Sequence, residues 1–169
     1  MNEFGITTGT VLDASILYYI DENNLHKHLR VDDIFKDKVS VVFGGPAPFS
    51  KLDTEQAKLY EQASSELLSH NIDQVVGIYC QDAFVCKKFQ EDVSKEIGTS
   101  NVKYYADGDG FFVRDYKLWL DFTFHGLSLR SWRWCAVVED CQIIWVQNDE
   151  FQLIEHTHPK KVLEWLESL

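Results

Sequence analysis

Four cysteines are the residues of this chain best suited to nucleophilic or redox chemistry. They are Cys80, Cys86, Cys135 and Cys141. A cysteine reacts as its thiolate, and a position near a helix N-terminus can lower the pKa of the thiol. Cys80 and Cys86 fall at the end of a predicted strand and in the first turns of the next predicted helix, so either is a candidate redox centre. The alternative is that both are reduced, buried core residues.

The other two cysteines and the histidines are weaker candidates for a redox or metal site. Cys135 and Cys141 flank the turn of a predicted hairpin, where we expect packing for the first and an exposed, idle thiol for the second. No Cys-x-x-Cys pair is present, and no Cys/His group has zinc-finger spacing. The histidines of the stretches 26–28 and 156–158 could each face one way on an extended segment, but no third ligand accompanies them. We therefore expect no metal and no cofactor.

An alternation of strands and helices must position these residues. The run "KVSVVFGG" (38–45) predicts a buried strand that ends in a turn, and "DQVVGIYC" (73–80) predicts a second one. Between them, apolar residues recur at helical spacing from 53 to 70, with Asp53 or Thr54 as the N-cap. Asp82 is the predicted N-cap of the next helix. That helix would bury Phe84, Val85, Phe89 and Val93.

The second half of the chain continues the alternation. "VKYYAD" (102–107) predicts a third strand, and "GDGFFVRDYKL" (108–118) a loop that enters a short helix. "RWCAVVEDCQIIWVQ" (133–147) predicts a hairpin around Glu139 and Asp140. "HPKKVLEWLESL" (158–169) predicts an amphipathic helix with Pro159 in its first turn. Together these elements predict one domain over 1–169, with a mainly parallel sheet covered on both faces.

Composition restricts the classes of partner. The chain carries 16 Lys and Arg against 27 Asp and Glu, so its formal charge is 16 − 27 = −11. Such a surface repels phosphate backbones and anionic lipid, which excludes nucleic acid and membrane as expected partners. No run approaches the roughly 18 apolar residues of a membrane span, and the start "MNEFGITTGT" has no signal-peptide pattern. We expect a soluble cytoplasmic protein.

Several motifs, in this order along the chain, resemble those of small atypical peroxiredoxins. "VDDIFKDKVSVVFGGPAPFS" (31–50) is similar to the family's entry strand and its Pro-Gly-Ala-Phe-Thr-Pro-Thr-Cys loop. "QDAFVCKKF" (81–89) and "YADGDGFF" (105–112) resemble its next helix start and its Ala-Asp-Gly segment. "GLSLRSWRWCAVVEDCQI" (126–143) resembles its arginine block and is the most specific match. The resemblance covers the chain from about Val11 to its end. It implies a thioredoxin-like α/β fold with a central mixed sheet and helices on both faces.

The resemblance also implies a set of site residues. In that family a thiolate attacks the peroxide, a neighbouring hydroxyl holds the substrate, and an arginine lowers the pKa of the thiol. Matched position by position, Pro46 is the loop proline, Ser50 the hydroxyl, and Arg133 the arginine with Arg130 as its companion. The second loop proline is replaced by Lys51.

The thiol position of this loop carries no cysteine. Counted forward from Pro46 it falls on Asp53, and counted back from Tyr60 it falls on Leu52. Neither side chain has a sulfur that a peroxide could oxidise. Two interpretations of Asp53 remain open: it is a helix N-cap only, or it pairs with Arg133 and imitates the charge of the lost thiolate.

Arg133 itself is predicted to point into this pocket. Trp132 and Trp134 bracket it on the same strand and would face the other way. A buried arginine needs a partner, so we expect Asp53, another acid of these loops, or loop carbonyls to contact its guanidinium.

Three functional hypotheses follow. The first is a peroxiredoxin-like protein without peroxidase activity that acts by binding or regulation, through a homodimer or a protein partner at the loops around the pocket. The second is an active thiol peroxidase that uses a displaced cysteine, Cys80 or Cys86. The third is an anion binder that uses the pocket of Arg133.

Overall fold

The fold is built on one seven-stranded mixed sheet. The computed structural model describes residues 3–150 and 152–169. The strands are β1 (Ile16–Ile20), β2 (His26–Arg30), β3 (Val39–Gly44), β4 (Gln74–Tyr79), β5 (Val102–Ala106), β6 (Trp119–Phe122), β7 (Ser128–Ser131), β8 (Arg133–Glu139) and β9 (Gln142–Asp149). The helices are α1 (Val31–Phe35), α2 (Lys51–Leu68), α3 (Ala83–Ile97), α4 (Phe111–Asp115) and α5 (Pro159–Glu167). The sheet order is β2-β1-β5-β4-β3-β8-β9, and β6 and β7 form a separate two-stranded sheet.

The sheet is mixed rather than mainly parallel. Only the central strands β3, β4 and β5 pair in parallel, while β1 joins β5 and β8 joins β3 in antiparallel fashion. The strands β8 and β9 are connected by the two residues Asp140 and Cys141, both with positive φ (45° and 68°). So short a connection forces an antiparallel pair. The expectation of a mainly parallel sheet is therefore wrong, and the central mixed sheet with helices on both faces is confirmed.

Helices cover the two faces unequally. The longer helices α2, α3 and α5 pack on one face, against side chains such as Phe43, Tyr79 and Val137. The short helices α1 and α4 pack on the other face, together with Val42 and Trp134. Successive residues of a strand point to opposite faces, and this alternation in β8 places Arg133 and Cys135 on the α2 side and Trp134 on the other. The predicted orientation of Arg133 away from Trp134 is confirmed.

The predicted start of α3 is confirmed, but one of its buried residues is not. Asp82 caps the helix, since its Oδ1 accepts the N–H of Val85 at 2.9 Å. The helix ends at Gly98, whose φ of 91° suits a glycine C-cap. Phe84 was expected in the core and is 64% exposed. Ala83, Cys86, Phe89 and Val93 form the buried face instead.

The strands β1 and β2 form an N-terminal hairpin that the sequence pattern did not predict. The carboxylate of Asp21 accepts the N–H groups of Asn23 and Leu25 and so fixes the connection. Nearly every residue of β2 is exposed. No helix in the described part of the chain is long and apolar enough to cross a bilayer.

Candidate functional site

The site lies where the loop after β3 enters α2. Ser50 is the N-cap of this helix: its Oγ accepts the N–H of Asp53 at 3.2 Å and donates to Asp53 Oδ2 at 2.8 Å. Asp53 is the third residue of α2, in the first turn. The prediction that Asp53 or Thr54 caps the helix is therefore wrong. A hydroxyl caps it, and the Asp53 carboxylate is left to make other contacts.

Asp53 and Arg133 form a buried ion pair. Arg133 Nη1 donates to Asp53 Oδ1 at 3.1 Å, and the two side chains are 1% and 0% exposed. The N–H of Ala47 donates to the second carboxylate oxygen at 3.0 Å. Each oxygen of Asp53 thus has its own donors. The predicted pairing of Arg133 with a carboxylate is confirmed, and Asp53 is the partner.

Gln56 completes the cluster, and the sequence reasoning missed it. Its Oε1 accepts from Arg133 Nη1 at 2.6 Å, and the side chain is fully buried. It lies three residues after Asp53, so both project from the same face of α2. A buried polar residue at that spacing was the signal that could have found it. The Nε2 of Gln56 has no hydrogen-bond partner among residues 3–150 and 152–169.

Glycine at position 45 makes room for the ion pair. A Cβ on Gly45 would overlap Asp53 Oδ1 and would lie 3.0 Å from Arg133 Nη1. The backbone that follows β3 can therefore approach the two charged groups only without a side chain. The Gly-Gly sequence that ends the predicted strand has a steric role here.

The electrostatics of the pair reflect its burial. Burial raises the pKa of the Asp53 carboxyl, while the charge of Arg133 and the hydrogen bonds from Ser50 and Ala47 lower it, with a net upward direction. The desolvation of the carboxylate is therefore not fully offset by its partners. Such a pair fixes geometry more than it adds stability.

An open cleft of about 400 Å³ leads to the pair. Its lining residues are Pro46, Ala47, Ser50, Lys51, Leu52, Asp53, Phe122, His125, Leu127, Arg133 and Gln152. Arg130 supports the cleft from the side, since its Nη1 donates to Pro46 O at 3.2 Å and its Nε to Leu127 O at 2.9 Å. The cleft thus joins the loop before α2 to the β6–β7 hairpin. No cysteine is among these lining residues.

Comparison with known proteins identifies the family. The Redoxin family model matches residues 15–161 of this chain. The chain belongs to the redoxin family. It is 27% identical to Peroxiredoxin-2D of Arabidopsis thaliana over 139 residues, which covers 82% of this chain and 84% of that protein. It is 30% identical to Peroxiredoxin y4vD of Sinorhizobium fredii over 122 residues, or 71% of this chain and 63% of that protein.

Solved structures show the same fold at lower identity. Reduced Prx3 from Vibrio vulnificus superposes with a TM-score of 0.86 at 24% identity, over 96% of this chain and 99% of that one. Peroxiredoxin 5 from Alvinella pompejana gives a TM-score of 0.83 at 17% identity, over 97% and 99% of the two chains. The predicted peroxiredoxin-family protein with a thioredoxin-like α/β fold is confirmed.

The cysteines of this redoxin lie outside the cleft. Cys80 is 8% exposed with its Sγ 3.6 Å from Asp107 Oδ2, and Cys86 is 2% exposed. Burial raises the pKa of the Cys80 thiol, with Asp107 adding to the rise, and it raises the pKa of the Cys86 thiol to about 12. Burial therefore opposes the lowering of these pKa values that the nearby helix N-terminus was expected to give.

The other two thiols are also covered. Cys135 is fully buried, as predicted, and burial raises the pKa of its thiol to about 12. Cys141 was expected to be exposed but is only 9% exposed, with its Sγ 3.6 Å from Asp32 O. Its left-handed backbone turns the side chain back toward α1.

The histidine pairs remain separate from the site. The residues 26–28 lie in β2, and 156–158 lie in the turn before α5. Within the described ranges, no group of three His, Cys, Asp or Glu side chains is arranged to hold a metal ion.

Proposed function

We propose that this redoxin has exchanged the peroxidatic thiol of its family for Asp53, lacks peroxidase activity and acts by binding or regulation. The observation that carries the proposal is the Asp53 carboxylate itself. It is fully buried beside Arg133, at 3.1 Å, and it accepts from the hydroxyl of Ser50 at the N-terminus of α2. These are the residues that the family resemblance assigns to the arginine and to the hydroxyl of the peroxide pocket.

The choice between Asp53 and Leu52 rests on contacts. Asp53 contacts both Arg133 and Ser50, whereas Leu52 is partly exposed and lines the outer cleft. A thiolate at the family's position needs the same donors that the carboxylate now receives. The forward alignment from Pro46 therefore fits better than the backward one from Tyr60.

Loss of the thiol removes the ability to reduce peroxide, while the residues around the former thiol position are kept. A carboxylate cannot be oxidised by peroxide, and Arg133 is already paired with it. For the same reason an anion gains little at Arg133, and the anion-binding hypothesis loses its support. The apolar walls of the cleft, including Phe122 and Leu127, suit the side chain of a partner better.

A peroxide assay tests the proposal. The purified chain with a thiol reductant should consume hydrogen peroxide no faster than reductant alone, because the cleft holds no oxidisable group. Mass spectrometry after peroxide treatment should find Cys80 and Cys86 unmodified under native conditions, since burial keeps both protonated.

Peroxidase activity in the unaltered chain would need cysteine variants to identify the reactive thiol. Robust turnover by the unaltered chain would refute the proposal. If turnover is then lost in Cys80→Ser or in Cys86→Ser but kept in Cys135→Ser, the chain is a peroxidase that uses a displaced thiol. Cys135 is the matched control, because it is at least as buried as Cys80 and Cys86 and lies on β8.

For association, we infer a weak homodimer or a protein partner at the loops that surround the cleft. Phe49 is 49% exposed beside the cleft, and Phe124, at the tip of the β6–β7 hairpin, is fully exposed. Aromatic groups in such positions are typical of contact surfaces. The four unpaired cysteines suit a reducing compartment, and we propose the cytoplasm.

Light scattering at increasing concentration measures this association. We expect the apparent mass to rise above that of the monomer, and Phe124→Ser to abolish the rise. Leu153→Ser is the control, since Leu153 is 48% exposed and does not line the cleft. A strict monomer at all concentrations would contradict the homodimer, and an equal effect of both variants would place the contact elsewhere.

A further inference from the structure

A second cleft, of about 280 Å³, lies between the β1–β2 hairpin and the start of α3. Its lining includes Tyr18, His26, Asp82 and Asp109, none of which belongs to the Asp53 cleft. Tyr18 comes from β1, His26 from β2, Asp82 from the cap of α3, and Asp109 from the turn before α4. Four separate parts of the chain thus converge on one small space.

Two aromatic rings, those of Tyr18 and His26, line this cleft. Phe84 lies at its edge and lines the neighbouring groove with Lys87 and Lys88. The ring centroids of Tyr18 and His26 are 5.6 Å apart, and those of His26 and Phe84 are 5.8 Å apart. His28 lies on the same side of the hairpin, 6.3 Å from Tyr18. Phe84 is 64% exposed although it sits on an otherwise amphipathic helix. A row of ring faces open to solvent is a surface on which a cation can rest.

Two carboxylates border the same space. Asp82 uses one oxygen, Oδ1, to cap α3, and neither Asp82 nor Asp109 forms an ion pair with any described residue. No lysine or arginine lines the cleft. The two nearest lysines of α3 are engaged elsewhere: Lys87 donates to Asp21 O at 2.7 Å, and Lys88 pairs with Asp92 at 3.0 Å.

The combination selects one class of ligand. Two carboxylates on a chain of net charge −11 repel anions. Although His26 and the carboxylates are possible metal ligands, no group of three such side chains is arranged to hold a metal ion in the described residues. The α3 dipole opposes a cation, but the Asp82 carboxylate already covers that helix end. A polarisable organic cation can contact the ring faces and can also pair with the two carboxylates.

We propose that this cleft binds an alkylammonium or guanidinium group, through the rings of Tyr18 and His26 and the charges of Asp82 and Asp109, with Phe84 at its edge. The volume suits a headgroup the size of choline or the end of an arginine side chain. The group can come from a free quaternary ammonium compound or from the side chain of a basic peptide. This site does not depend on the fate of the Asp53 pocket.

A titration of the full chain, followed by amide proton–nitrogen correlation spectra, tests the site. Choline should shift the signals of Tyr18, His26 and Phe84, with a dissociation constant in the millimolar range, roughly what one small cation–π site supplies. Its neutral isostere, in which carbon replaces the quaternary nitrogen, should bind at least roughly fivefold more weakly. Acetyl-arginine amide is the second arm, which distinguishes a free ammonium compound from a peptide side chain.

Matched variants separate the cleft from the general charge of the surface. Tyr18→Leu should weaken choline binding roughly threefold, and Asp82→Asn with Asp109→Asn roughly tenfold. The asparagine at position 82 keeps the cap through its oxygen. Phe124→Leu controls for loss of an exposed ring, and Glu164→Gln with Glu167→Gln, on α5, controls for loss of two charges. Neither control should change the affinity.

Four outcomes would overturn the proposal. Equal affinity for choline and its isostere would make the cleft merely apolar. Equal weakening by the α5 double variant would make the attraction a property of the whole surface. Absence of shifts at these residues with both choline and acetyl-arginine amide, or displacement of choline by Mg²⁺, would exclude an organic-cation site.

Discussion

Arg133→Met should lower the free energy of unfolding by about 3–5 kcal/mol, because it leaves the Asp53 carboxylate buried without its cation. Methionine fills a similar volume, so lost packing contributes little. The stranded carboxyl can escape by taking up a proton. The loss should therefore be smaller at pH 5 than at pH 8, which chemical denaturation at the two pH values will measure.

The sign of this pH dependence follows from the direction of the pKa shift. Burial already raises the pKa of Asp53 in the unaltered chain, and removal of Arg133 raises it further. A folded-state pKa above the unfolded one means that the folded state holds its proton longer. Stability is then greatest below the unfolded pKa and falls as the pH rises through the folded pKa.

Asp53→Asn should be about as damaging as Arg133→Met. Oδ1 of Asp53 faces Arg133 Nη1, and Oδ2 faces the N–H of Ala47. An amide has one oxygen and one NH₂ group, so one of these donors must face another donor. Because Ser50 supplies the cap, the amide also gains nothing by capping.

The single variants Asp53→Leu and Arg133→Met and the double variant that combines them form a double-mutant cycle. Removing both charges should cost far less than the sum of the single changes, on the order of 1 kcal/mol. Arg30→Met with Asp32→Leu, at an exposed pair, is the control and should show little coupling. Additive effects at Asp53 and Arg133 would mean that their contact is not an energetic unit.

The sequence predicted those elements whose burial follows a simple period. The strands β3, β4 and β5 are apolar runs bounded by turns, and Arg133 could be oriented because β8 alternates strictly between two buried faces. The hairpin of β1 and β2 escaped prediction because the exposed residues of β2 carry no hydrophobic period. Pairing with β1 holds that strand in place, and pairing is not visible in a single segment.

The sequence predicted the contact between Arg133 and Asp53, but it did not predict which residue caps α2 or that Gln56 joins the site. The charge of Arg133 required a partner, and alignment with a family loop supplied Asp53. Whether Ser50 or Asp53 caps α2 depends on where the helix begins within three residues, a choice that propensity does not decide. Phe84 was assigned to the core by its spacing, although its neighbour Ala83 is the residue that faces inward.

Asp53→Cys should produce the most reactive thiol in the chain. Three donors aim at this position: Arg133 Nη1 at 3.1 Å, the N–H of Ala47 at 3.0 Å and the hydroxyl of Ser50 at 2.8 Å. They should hold the new thiolate against the effect of burial, together with the dipole of the 18-residue helix α2. The carboxylate that now pairs with Arg133 is absent in this variant.

Comparison with the native thiols gives the expected increase in the rate of alkylation. With its pKa near 12, the Cys86 thiol is ionised to roughly one part in 10⁵ at pH 7. Alkylation at position 53 should therefore be at least roughly 100-fold faster than at any native cysteine, read by mass spectrometry over time. Peroxide should oxidise the same site first.

Leu52→Cys is the matched control, and it tests the proposal that Asp53 rather than Leu52 stands at the position of the family's thiol. Leu52 lines the cleft one position earlier and is partly exposed, whereas Asp53 is fully buried and accepts from Arg133 and Ala47. A thiol there should keep a pKa near its ordinary value of about 8.5 and react with peroxide slowly. Faster alkylation and oxidation at position 52 than at 53 would reverse the assignment. The Asp53–Arg133 pair would then be a structural ion pair beside the old reaction centre rather than its replacement.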